Sequence, residues 1–188
     1  MPDEKIDVSE NGELRSKPQR RKKAIFRELL PYFLILLGVL LFRIFILINA
    51  TIPTESMENT IMRQTRVIGL KCTYWFSEPQ RGDIIVFKAP DDPATPYVKR
   101  IIGMPGDTVQ IISGVTYING VIYQESYLAE PMKGSFGPYV VPEGCYFMMG
   151  DNRNYSLDSR YWTNTFLKKA DIYGKVFFSY WPKLRWIK

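Results

Sequence analysis

Val115-Thr116-Tyr117-Ile118-Asn119-Gly120-Val121-Ile122-Tyr123 is the stretch that points to the fold class. Two short runs of β-branched and aromatic residues flank Asn-Gly. That dipeptide tolerates the two positive φ angles a type I′ turn demands, so the stretch predicts a β-hairpin. Short runs of the same kind recur on both sides, bounded by Gly and Pro: 83–87, 97–102, 144–150 and 176–180. No long helical period and no internal repeat interrupts them. From residue 51 to residue 188 the chain therefore reads as one compact all-β domain.

Upstream of residue 51 the composition changes abruptly. Residues 29–50 read LLPYFLILLGVLLFRIFILINA. At ~1.5 Å per residue such a helix is about 33 Å long, enough to cross a hydrocarbon layer of ~30 Å. Pro31 then falls in the first turns, where a missing N–H costs little. Arg43 sits near the far end, where its stem can carry the charge to the interface. Residues 1–28 read as a polar tail. Its Lys17, Arg20, Arg21, Lys22, Lys23 and Arg27 crowd against the apolar run, the pattern that keeps an N-terminus cytoplasmic. The run is long for the apolar region of a cleaved leader, and an extended lead precedes it, so an uncleaved anchor is the expectation. The fold class is thus mainly β, with one N-terminal transmembrane helix in the cell membrane and an extracytoplasmic domain behind it.

Composition removes several functions. Among 188 residues there is no histidine, which excludes Ser-His-Asp and Cys-His catalysis and every metal site built on imidazole. Neither metal nor cofactor is expected. The net charge of +6 is concentrated before the span, and no nucleic-acid-binding pattern accompanies it, so no nucleic-acid partner is expected. Cys72 and Cys145 have no metal-ligand spacing. A disulfide in an oxidising compartment and two separate thiols are both compatible with them.

Four segments carry chemistry: 52–57 (IPTESM), 81–83 (RGD), 97–100 (YVKR) and 150–160 (GDNRNYSLDSR). Singly each has a plain structural explanation: a capping serine, a solvated strand lysine, an Asn/Asp-rich turn. In this order, directly after a membrane span, they resemble the type I signal peptidases of bacteria, the membrane-bound Ser-Lys proteases. The resemblance runs from the anchor to about Trp162 and includes the 99–107 run KRIIGMPGD.

The resemblance implies a serine endopeptidase that removes signal peptides from exported preproteins, cutting after small residues at −1 and −3. It implies Ser56 as nucleophile and Lys99 as general base. The Thr54 hydroxyl and the Ser56 N–H would form the oxyanion hole, and Ser156 would orient the lysine amine. Asp158 and Arg160 would support that segment, and Arg81, Gly82 and Asp83 would form a structural box. Ile52, Pro53, Met57, Val86, Tyr97 and Val98 would border the substrate pockets. Two positions depart from the family pattern. Asn59 stands where a proline is common, and Glu55 places a carboxylate beside the nucleophile.

The chemistry is coherent without the family. A serine hydroxyl needs a base, and a lysine amine can act as one only when neutral. Its pKa must fall from ~10.4 to roughly 7–8, which burial among Tyr97, Val98, Ile101 and Ile102 would achieve. Alternation along the strand turns Arg100 the other way. The partners expected are signal peptides and the lipid bilayer. Phe177, Phe178, Tyr180, Trp181, Leu184 and Trp186, with neighbouring basic residues, suit either lipid headgroups or the β core. Two rivals remain from the residues alone: another Ser-Lys protease, and a tethered β-domain that binds without catalysis.

Overall fold

The computed structural model describes residues 18–187. Residues 1–17 of the expected tail lie outside the described residues. Helix α1 runs Pro18–Phe45, and within it Phe26–Phe45 is long and apolar enough to cross a membrane. None of that stretch is buried, as suits a helix apolar on every side. The helix starts earlier than residue 29 and ends before residue 50. Pro31 therefore lies in its interior rather than in its first turns.

The early end has a tertiary cause. Leu47–Thr51 forms strand β1, which pairs antiparallel with β2 (Arg66–Leu70) from Leu47↔Leu70 to Thr51↔Arg66. Ile48 is thereby drawn into the core at 8% exposure. An apolar run cannot distinguish lipid from a strand partner fifteen or more residues away; the ladder decides it.

The β-domain begins at Phe45. Its further strands are β3 (Ile84–Lys88), β4 (Pro96–Gly103), β5 (Thr108–Ile112), β6 (Val115–Ile118), β7 (Val121–Ile122) and β8 (Phe136–Val140). After them come β9 (Cys145–Met149), β10 (Leu167–Lys168), β11 (Ile172–Trp181) and β12 (Arg185–Trp186). One sheet has the order β1-β2-β11-β3-β4-β9-β10, with β12 added to β11; a smaller sheet has the order β7-β6-β5-β8. The β6–β7 hairpin turns at Asn119 and Gly120, whose φ angles are +52° and +79°, as the type I′ reading requires.

Three apolar clusters fill the domain. Ile84 and Val86 of β3 enter one, and Ile85 and Phe87 enter another, so this strand is covered on both faces. Its unbroken Ile-Ile-Val-Phe run follows from that position. Strand β9 likewise sends Phe147 and Met149 one way and Tyr146 and Met148 the other. Both cysteines are free thiols, half-buried. At the C-terminal end Phe177 and Phe178 are half-buried, whereas Trp181, Leu184 and Trp186 are exposed.

Candidate active site

Two chain segments approach each other at the end of β1 and along β4. After β1 the backbone stays extended through Ile52 and then turns, the Glu58 N–H donating to the Glu55 carbonyl at 2.9 Å. Ser56 sits in this turn. Lys99 lies on β4 opposite Ile85. Its amine reaches the Ser56 hydroxyl at 2.5 Å, and both residues are buried. The Thr54 hydroxyl lies 3.2 Å from the same Ser56 oxygen. The Ser56 N–H has no acceptor among the described residues.

Burial moves the Lys99 amine down from the ordinary 10.5 to about 8. Asp158 pulls it up, Arg160 pushes it down, and Asp151 pulls it up again. Because Asp158 and Arg160 act in opposite directions, desolvation is left in control. An amine in this state is neutral in part of the chain population near neutral pH, and it is already in contact with the hydroxyl it would deprotonate.

The 150–160 segment holds this arrangement. The Asn152 N–H donates to the Ser56 carbonyl at 3.1 Å, and the Asn152 side-chain amide donates to the Glu55 carbonyl at 3.1 Å. Gly150 lies between Ser156 and Ser56. A Cβ there would come within 2.3 Å of the Ser156 hydroxyl oxygen and 2.4 Å of the Ser56 carbonyl oxygen. Only glycine fits so close an approach. The Ser156 hydroxyl donates to Asp158 at 2.7 Å, and the contact with the Lys99 amine expected of it is not among the hydrogen bonds of the described residues. Asp158 also accepts from the Gly150 N–H at 3.0 Å and from Arg160 Nε at 2.8 Å. Fully buried, the Asp158 carboxylate gathers the local donors, and the serine hydroxyl is one of them.

Behind Lys99, Arg100 faces away as alternation requires. It forms a buried pair with Asp151 at 2.6 Å and stacks on the Tyr127 ring at 4.0 Å. Arg81 donates to the Ile102 carbonyl at 2.6 Å and pairs with Asp107 at 2.9 Å. The Gly82 N–H donates to the Ile101 carbonyl, and the Ile101 N–H donates to the Asp83 carbonyl. This box therefore clamps β4 just beyond Lys99. The Asp83 carboxylate accepts from Tyr74 and Lys175.

A cleft of about 780 Å³ opens at the Ser56–Lys99 pair. Ile52, Pro53, Val86, Tyr97 and Val98 line it, as expected of pocket residues. Met57 does not. It is fully buried in the cluster with Ile52, Ile61 and Val67, because the turn after Ser56 carries its side chain inward. The reading by motif also missed Tyr155, Leu157, Arg63 and Thr95 on the cleft wall. Tyr155 and Leu157 flank the expected Ser156, and two apolar residue types within a polar segment were the available signal. Asn59 has φ +80°, a value closed to proline, and its amide donates to the Tyr127 carbonyl at 2.5 Å.

A sequence profile described as "Signal peptidase, peptidase S26" matches residues 25–181. The chain belongs to the S26 signal peptidase family. It is 38% identical to Probable signal peptidase I-1 of Synechocystis sp. over 168 residues, 85% of each chain. It is 36% identical to Signal peptidase I S of Bacillus subtilis over 180 residues, 90% of this chain and 96% of that one. A second Synechocystis protein, Probable signal peptidase I-2, is 40% identical over 136 residues; the match covers 70% of this chain and 62% of that one. Family membership makes the chain a serine peptidase, of a family that removes signal peptides from preproteins.

Proposed function

We propose that the chain removes signal peptides from exported preproteins with a Ser56–Lys99 dyad. The observation that carries this reading is the 2.5 Å contact between a buried amine of pKa about 8 and a buried hydroxyl at the foot of an open cleft. Neutral Lys99 takes the Ser56 proton as Oγ attacks the scissile carbonyl. The oxyanion gathers at the Ser56 N–H and the Thr54 hydroxyl, where a well-placed donor contributes roughly 2.7–4 kcal/mol. Protonated Lys99 passes its proton to the leaving amine. It then activates the water that hydrolyses the acyl-enzyme, and Ser56 recovers its proton. Asp158 and Arg160 act at a distance, by fixing Gly150 and Ser156 against the nucleophile turn.

Two unpaired backbone edges support binding of an extended peptide. β1 ends its sheet, and β4 pairs with β9 only from Arg100 onward, so, among the described residues, 96–99 keep a free edge. A substrate strand can add to these edges through main-chain bonds. Side chains at −1 and −3 then meet the wall of Ile52, Val86, Tyr97 and Val98, which leaves room for small residues. The span α1 would hold the enzyme in the cell membrane, with the N-terminus in the cytoplasm and the β-domain outside.

The test is cleavage of a preprotein by purified protein in micelles. Ser56→Ala and Lys99→Met should leave it uncut, and the wild-type acyl-enzyme trapped by acid quench should carry its adduct on Ser56 by mass spectrometry. An adduct on another residue, or undiminished cutting by either variant, would refute the dyad.

A further inference from the structure

Segment 151–160 is arranged inside out. Its charged residues Asp151, Arg153, Asp158 and Arg160 are buried, while Tyr155 and Leu157 stand 65% and 57% exposed. Between them Ser156 is buried and extended, with φ −125° and ψ 121°, so its two neighbours point together to the opposite side. That side is the rim of the same cleft that contains Ser56 and Lys99. Nothing in the domain's core uses these two side chains, and paired exposed apolar groups on a cleft mark a contact surface.

The direction of the cleft tells which part of a substrate they meet. The chain runs from Ala50 to Ser56 along one wall and from Thr95 to Lys99 along the other, so both walls run toward the dyad. Ala50, Thr51, Thr95 and Pro96 form the far end. At the dyad end, Ser156 approaches Gly150, which touches the Ser56 carbonyl, and Tyr155 and Leu157 stand on either side of Ser156. With its scissile carbonyl at Ser56, an extended peptide has its acyl side between the walls. The chain beyond the scissile bond must leave past the dyad end.

We propose that Tyr155 and Leu157 form a leaving-side subsite, which accepts an apolar side chain from the first residues of the mature protein. The inference rests on the dyad reading above, since that reading sets where the scissile bond lies. Its occupant departs with the amine product. The subsite therefore acts on formation of the acyl-enzyme and leaves its hydrolysis untouched.

The experiment uses the full chain in micelles and two peptides identical through −1, one with Leu and one with Ser at both +1 and +2. Wild-type kcat/KM should favour the Leu peptide by about tenfold, the scale of a small apolar contact on an open site. In Tyr155→Ser/Leu157→Ser that ratio should fall to about one, with each single variant between. Preference for Ala over Leu at −3, measured alongside, should be unchanged in all variants, and it also reports that they remain folded. A wild-type ratio near one overturns the subsite. So does a ratio that survives in the double variant, or a −3 preference that collapses together with it. Failure of the dyad has a separate sign, cleavage of both peptides by Ser56→Ala.

Discussion

Replacing Lys99 by Met should make the protein inactive and, below pH 8, more stable. Lys99 is 4% exposed, and burial takes its amine from 10.5 to about 8. At ~1.36 kcal/mol per pH unit this is about 3 kcal/mol of differential stability. The sign follows from proton binding. Between pH 10.5 and 8 the unfolded chain takes up a proton that the folded chain refuses, so the folded state loses ground as pH falls. The penalty is complete below about pH 8 and absent above 10.5. Methionine has similar length and no charge to desolvate, but it forfeits the bond to Ser56, which is worth about 1 kcal/mol. Lys99→Met should thus gain about 2 kcal/mol at pH 6.5, and its advantage should shrink by about 3 kcal/mol between pH 8 and 10.5. Urea titrations of both proteins in the same micelles at several pH values give the difference, in which other titrating groups cancel. Wild-type kcat/KM should rise about tenfold per pH unit up to pH 8 and then level. A stability gap that does not change with pH would refute a depressed Lys99 amine.

Further predictions concern its neighbours. Thr54→Val removes a hydroxyl 3.2 Å from Ser56 Oγ and should lower kcat about 10²-fold with KM nearly unchanged, in steady-state assays. Gly150→Ala drives a methyl against Ser156 and Ser56. It should cost about 1–3 kcal/mol in urea unfolding yet about 10²-fold in kcat, because the nucleophile turn must shift. Asp151→Asn leaves the buried Arg100 without its carboxylate and should cost about 3–5 kcal/mol, read as an earlier unfolding midpoint. An Asp151→Asn protein that unfolds at the wild-type midpoint would show that the Arg100–Asp151 pair does not stabilise the fold.

Much of the site was legible in the chain because its logic is chemical and local. With no histidine available, a serine protease must use another base, and Lys99 lies in an apolar run that can hold it neutral. Tyr97, Val98, Ile52, Pro53 and Val86 were named through the resemblance to the signal peptidases, and all five line the cleft. Met57 and Ser156 were harder. Whether Met57 faces the cleft or the core depends on one turn at residues 55–58. The hydrogen-bond partner of Ser156 depends on Asp158, held in place by Gly150 and Arg160, a competition among donors that spacing does not reveal.

Local pattern alone determined the β class, the Asn119-Gly120 hairpin, an apolar helix before the domain and the exclusion of histidine chemistry. Each follows from the residue's own conformational or chemical limits. The tertiary structure decided where the helix stops, the order of the strands, the free edge at residues 96–99 and the cleft that ends at Tyr155 and Leu157. These depend on pairings between residues far apart in the chain. Leu47–Thr51 is a strand only because Arg66–Leu70 lies beside it, and Tyr155 and Leu157 reach the cleft because the 150–160 segment folds back against Ser56.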